Sequence, residues 1–397
     1  MKIKRVFWIL FALNLLNYID RQVLYAVFPL LQQDLHVTDL QLGTLASAFM
    51  VVYMCYAPVM GYLAGRFSRT RLMGLSAILW SGATAGCAFA QNYVSLLVPR
   101  ALVGVGEGGF TTLAQPFLAE QYPKEKHAWL LALFGLALPV GSALGYVLGG
   151  VLGQHGGWRL AFTLVSVPGM LLGAWVFYGF KDRKRTNQTA PKPPLLAYLP
   201  LFKNRPFMHV CFAQAMITFV MGGLAAWMPM YLHRYVELDA AQAGTYFGVL
   251  VVGCGALGTL LGGKIAEWWF KRSGAAYYYL IGICCVAALP FCWAALQAQQ
   301  TTAILSYLGL ALTLLFMPTG AIAAALVATT QEQLRSMAFA VNILLIHLLG
   351  DAISPALVGW ASDSWDLKAA VFLCTLFLVP GAWAGWKGIP KPCRHKV

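Results

Sequence analysis

The chain repeats one pattern from end to end: a run of apolar residues long enough to cross a bilayer, then a short polar gap. A helix needs about 20 residues to span the hydrocarbon core, and inside lipid only helices and closed barrels satisfy their own backbone. Twelve such spans follow, at approximately 6–31, 40–65, 72–91, 94–121, 127–153, 159–180, 207–232, 242–267, 275–296, 300–330, 336–361 and 366–387. Composition agrees, with 59% of the 397 residues hydrophobic and 11% charged. Soluble domains carry about a quarter charged residues. The expected fold is an all-α, multi-pass membrane protein in a plasma membrane, the inner membrane in a bacterium.

The net charge of +14 raises nucleic acid as a partner, but the charges lie in the short gaps between spans. That is how membrane orientation is written, and no nucleic acid is expected. With the N-terminus in the cytoplasm, 23 of the 28 Lys and Arg fall on the cytoplasmic side and 3 on the other, with Arg21 and Arg100 inside spans. This bias predicts both termini inside. MKIKR runs directly into apolar sequence with no small-residue cleavage site before Asp20, so the first span reads as a retained helix. The nine cysteines show no CxxC or His/Cys ligand spacing, and neither a metal site nor a cofactor is expected.

The linker 181–206 is basic and Pro-rich and divides six spans from six. The predicted organisation is a bundle at 1–180, this cytoplasmic linker, and a second bundle at 207–397. The sequon at Asn187 lies in the linker and is expected to escape glycosylation. A weak repeat supports two related halves: Gly61 to Arg69 after the second span, and Gly263 to Glu267 with Lys271 and Arg272 after the eighth. Halves of this kind, with a site between them at mid-membrane, are the major facilitator arrangement.

Four charges sit where lipid should exclude them: Asp20 and Arg21 in the first span, Arg100 and Glu107 in the fourth. Charges at such depth cost several kcal/mol and normally face a partner or a watery cavity. Arg100 and Glu107 are seven apart and share a helix face. Asp20 lies at a depth between them. Arg21 points away from Asp20, and a purely supporting role weighs evenly with a functional one. His347 and Asp351, four apart in the eleventh span, share a face; a proton relay competes with simple packing through Ser354.

Gly61 to Arg71 resembles the loop motif of the major facilitator superfamily, except that the usual acid falls at Gly65. Glu120 is then the candidate partner for Arg66 or Arg69 at a cytoplasmic gate. Four further stretches resemble the Spinster family: Asn17 to Arg21, Arg100 to Glu107, Pro139 to Tyr146, and His347 to Pro355. That resemblance implies two six-helix pseudo-symmetric bundles and transport of lysophospholipids or sphingosine-1-phosphate-like lipids, with proton coupling in some members. It also places the first and fourth helices on a central cavity.

In that setting Asp20 and Glu107 are the expected proton acceptors. Arg100 is the partner for an anionic headgroup or a gate, with Arg21, His347 and Asp351 in supporting substrate or gating roles. Asp20 is expected to pair with Arg100 while Glu107 waits as a second acid. Arginine suits the task because it stays charged and grips phosphate bidentately. The expected partners are a lysolipid, protons and the bilayer, and the expected working unit is a monomer. The alternative substrate is a small organic anion such as a sugar acid; the lack of a buried arginine in the seventh, eighth and tenth spans argues against it. No Ser/His, paired-Asp or HExxH arrangement supports an intramembrane enzyme.

Overall fold

The computed structural model describes residues 3–123, 127–180, 199–331 and 334–389. Most of the linker, Asn187 included, and the basic residues after 390 lie outside them. The described residues are helical throughout, without strands: α1 (Ile3–Ala26), α2 (Phe28–Leu35), α3 (Asp39–Leu63), α4 (Arg69–Cys87), α5 (Tyr93–Gln121), α6 (His127–Gly135), α7 (Ala137–Gly179), α8 (Leu199–Lys203) and α9 (Arg205–Val236). Then come α10 (Ala240–Phe270), α11 (Ala276–Gln297), α12 (Thr301–Phe316), α13 (Pro318–Thr329), α14 (Arg335–Ile346), a π-helical turn (His347–Asp351), α15 (Ser354–Ser364), α16 (Leu367–Thr375) and α17 (Leu378–Lys387). Among the described residues, eight helical stretches are long and apolar enough to cross a membrane.

Local chemistry sets several starts. Thr38 and Gln41 form a capping box on α3, each side chain bonding the other's backbone N–H. Asn92 and Ser95 do the same for α5. Inside α7, Gly157 takes φ 77°, a conformation that glycine reaches without a Cβ penalty, and the helix turns there.

The chain groups into two compact units. One holds Met1–Arg185, Leu224–Val252 and Ser354–Ala370; the other holds Thr186–Gly223, Gly253–Ile353 and Val371–Val397. In the first, α1 and α4 pack on α7, α3 and α4 on α5, and α15 on α3. In the second, α11 packs on α12, α13 and α17.

Glycines allow the approaches that position the charges. A Cβ on Gly145 would lie 2.5 Å from the Ile19 carbonyl, so α7 closes directly on the α1 turn that carries Asp20. On α5, Gly108 would place a Cβ 2.8 Å from the Tyr53 carbonyl, and Gly104 meets the Phe49 carbonyl in the same way. Small residues at four-spacing permit this close contact between membrane helices. The Gly104–Gly109 run is therefore a packing surface.

Candidate functional site

The four intramembrane charges of α1 and α5 come together in the first unit as two ion pairs. Arg100 donates from Nη1 to Asp20 Oδ1 at 3.4 Å, and Thr84 donates to the other oxygen of Asp20. Arg21 donates from Nε to Glu107 Oε2 at 2.6 Å. Glu107 thus has its own cation instead of standing alone as a second acid. Arg21 does point away from Asp20, and that direction carries it to α5, a partner 86 residues away that helical spacing cannot reveal.

Burial is nearly complete. Arg100 and Glu107 are 0% exposed and Asp20 is 2%. Removing one member of such a pair strands a charge in a dry interior, which costs about 3–5 kcal/mol. The network is also under-filled. Arg100 Nε and Nη2, Glu107 Oε1, Arg21 Nη2 and both polar atoms of Asn17 are buried without a hydrogen-bond partner among the described residues. Native interiors rarely leave so many polar groups unpaired in one place, except where a ligand, water or proton acts.

Aromatic rings supply the remaining contacts. The Arg21 guanidinium carbon lies 5.2 Å from the Tyr18 ring centroid, 5.2 Å from Phe49 and 4.8 Å from Tyr53. Arg100 lies 4.7 Å from the same Phe49 ring. Tyr53 is fixed in turn by a 2.7 Å hydrogen bond between its hydroxyl and that of Thr111. Sequence reading offers Phe49 as a cavity-lining ring but favours packing for it, and it passes over Tyr53. Their four-residue spacing on α3 was visible, but such spacing usually means packing.

Arg69 grips Glu120 with two hydrogen bonds of 2.8 and 2.6 Å. Arg66 instead stacks on Tyr62, 4.4 Å from its centroid. In the second unit, His347 Nδ1 meets Asp351 at 2.9 and 3.1 Å. This pair occupies the π-helical turn, where Gly350 leaves helical geometry. Single-turn π segments are frequent at functional sites. Ser354 Oγ is buried without a hydrogen-bond partner among the described residues.

A second charged cluster, at the α2–α3 turn, has no counterpart in the sequence reading. Asp39, 3% exposed, accepts from Arg234 Nη1 at 2.7 Å and Nη2 at 2.5 Å, from Ser362 at 2.5 Å and from Gln32 at 2.8 Å. Asp363 accepts the backbone N–H groups of Asp39 and Leu40 at 2.9 and 2.8 Å, capping α3 a second time. The cluster ties the ends of α2, α3, α9 and α15 together. Nearby, Asp34 accepts from Arg159 at 2.5 Å and Trp158 at 3.0 Å, which holds its carboxyl below the usual range. These residues line a shallow cavity of about 420 Å³.

The sequence pattern described as Major Facilitator Superfamily matches residues 10–342. The mouse sphingosine-1-phosphate transporter SPNS2 is 31% identical, over 93% of this chain and 74% of that protein. Protein spinster homolog 1 of Xenopus tropicalis is 31% identical, over 92% of this chain and 74% of that protein. Among solved structures, a bacterial homolog to the human lysosomal transporter Spinster, inward-facing and unoccupied, superposes with a TM-score of 0.88. It is 22% identical and covers 97% of this chain and 96% of that one, a likeness that speaks to the fold alone.

Proposed function

This chain belongs to the Spinster family of the major facilitator superfamily and is a membrane transporter, not an enzyme, and we propose that it carries an amphipathic anionic lipid by proton-coupled alternating access. The relatives named as sphingosine-1-phosphate transporters support the substrate class. The observation that carries the mechanism is the pairing of Asp20 with Arg100 and of Glu107 with Arg21 on neighbouring helices, all buried except the Arg21 side chain, which is 13% exposed.

Each carboxylate is a proton site whose occupancy changes a pairing. When Glu107 takes a proton from the aqueous side, its attraction for Arg21 falls and α1 is freer to move against α5. Among the described residues, Arg100 Nε and Nη2 have no hydrogen-bond partner, and its bond to Asp20 is long. A phosphate headgroup would find a bidentate site there and compete with Asp20 for the guanidinium. Competition of that kind links substrate to proton, because each shifts the population of the state the other prefers. His347 and Asp351 act in substrate binding or gating, and Arg69 with Glu120, beside Arg66, forms a gate at the cytoplasmic end.

The topology proposed is twelve crossings with both termini inside, arranged as bundles 1–180 and 207–397 joined by the linker 181–206, in a plasma membrane. The stretch 133–179 holds two crossings because it turns at Gly157. α1, α4 and α5 complete the twelve, α1 and α5 carrying the functional charges that lower their mean hydropathy.

Proteoliposomes under an imposed pH gradient test the reading. Sphingosine-1-phosphate or a lysophospholipid should be taken up saturably and outcompete gluconate. Asp20→Asn and Glu107→Gln should each abolish the response to the gradient. Undiminished proton-driven uptake in both variants sinks the coupling assignment, and a preference for gluconate sinks the substrate.

A further inference from the structure

A cation in a dry interior needs a partner in every protonation state the site visits. Arg21 has one hydrogen-bonded anion, Glu107, and its Nη2 has no acceptor among the described residues. If Glu107 is a proton acceptor, that single anion disappears each time the proton arrives. Left alone, the guanidinium would oppose protonation or swing toward Asp20, scrambling the two pairs.

Three rings surround it instead. Tyr18 comes from α1, one turn before Arg21, and Phe49 and Tyr53 from α3, one turn apart. The negative face of an aromatic ring attracts a cation most strongly where water is absent. Phe49 is 1% exposed and contacts Arg21 and Arg100 at once, so it stands against both guanidiniums. The backbone holds these rings closely: Gly104 and Gly108 bring α5 onto the Phe49 and Tyr53 carbonyls, and Thr111 fixes the Tyr53 hydroxyl.

We propose that Tyr18, Phe49 and Tyr53 are positioning residues for the proton step: they seat Arg21 when Glu107 is neutral, and Phe49 keeps each arginine on its own carboxylate. This rests on Glu107 being a proton site. The rings matter more to the neutral-Glu107 state than to the charged one, in which the carboxylate itself holds Arg21. Removing a ring therefore penalises the protonated state and makes Glu107 take its proton at lower pH. The charged and titratable groups acting on the site are Arg21, Asp20, Tyr18 and Tyr53, together with Arg100 and, beyond it, Cys87. The replacements leave Arg21, Asp20, Arg100 and Tyr18 in place; Tyr53→Leu and Tyr53→Phe both remove the Tyr53 hydroxyl, so the difference between them isolates the ring.

The experiment is an infrared pH titration of the full chain in liposomes, following the protonated-carboxyl stretch that Glu107→Gln removes. Phe49→Leu and Tyr53→Leu should move its midpoint about one pH unit to the acid side. Tyr53→Phe, which keeps the ring and loses the bond to Thr111, should leave it in place. A midpoint unmoved in the leucine variants overturns the proposal, as does an equal shift in Tyr53→Phe, which would assign the effect to the hydroxyl. Should Phe49→Leu fail to fold, the Tyr53 pair decides alone. A Glu107 band absent at every pH removes this proposal and the proton-site reading together; a band with an unmoved midpoint removes only this one.

Discussion

Glu107 shows how much can hang on one atom pair. Its bond to Arg21 joins α5 to α1, with the Glu107 end fully buried and the Arg21 side chain 13% exposed. Glu107→Ala should destabilise the protein by about 3–5 kcal/mol, because it leaves the Arg21 charge buried. Glu107→Gln keeps an acceptor for Nε and should cost clearly less. Thermal unfolding in detergent at neutral pH checks the order; equal losses would mean that Arg21 is not held through this bond. The four charges were legible in the sequence because lipid makes any charge conspicuous. Their pairing was not, because a helix shows only which residues share a face, and Arg21 reaches Glu107 from a face that Asp20 does not share. The rings were still harder to see, since a phenylalanine in a membrane helix is ordinary until a cation is found beside it.

At the scale of the element, most helix positions could be read from apolar run length, but the breaks within them could not. The first span ends at Ala26 and resumes at Phe28, the tenth breaks at Met317, and the twelfth breaks before Leu378. Pro29, Pro318 and Pro380 each follow such a break and lack the N–H that would bond the preceding turn. Yet Pro58, Pro99, Pro116, Pro229 and Pro290 sit inside unbroken helices, and Pro168 inside the part of α7 that follows the Gly157 turn. Proline marks where a helix can break, and packing decides whether it does. The Asp39 cluster was invisible for a different reason: its partners Arg234, Ser362 and Asp363 lie roughly 200 and 320 residues downstream. A carboxylate with this many charge-assisted bonds is strongly held. Asp39→Ala should lower the melting temperature and raise alkylation of a cysteine placed at Ser362. Asp39→Asn, which retains an acceptor, should do both to a smaller extent. Unchanged alkylation in Asp39→Ala would show that the ends of α3 and α15 are held together by packing alone. At the α1–α7 contact, Gly145→Leu should be more damaging than either, since the Ile19 carbonyl fills the space a side chain needs. Its expected signature is loss of a monodisperse peak in size-exclusion chromatography.

For the whole molecule, the question is which side of the membrane each helix end faces. Positive charge orients membrane proteins because Lys and Arg are retained in the cytoplasm during insertion. The bias of 23 to 3 holds only for an even number of crossings, and a single missed or invented helix would scramble it. Gly157 is the critical point. If the chain did not reverse there, every later loop would change sides. Single cysteines in a background lacking the nine native ones test this directly. A membrane-impermeant maleimide should label Gln33→Cys and Gln242→Cys in right-side-out vesicles only. Gly65→Cys and Lys271→Cys should be labelled in inside-out vesicles only. The informative comparison is Gln33 with Gln242, which lie on either side of the Gly157 turn in sequence. Labelling of these two from opposite sides would rule out the twelve-crossing plan. It would also remove the basis for placing Lys271 and Arg335 in the cytoplasm, because the sidedness of every element after Gly157 is counted through that turn.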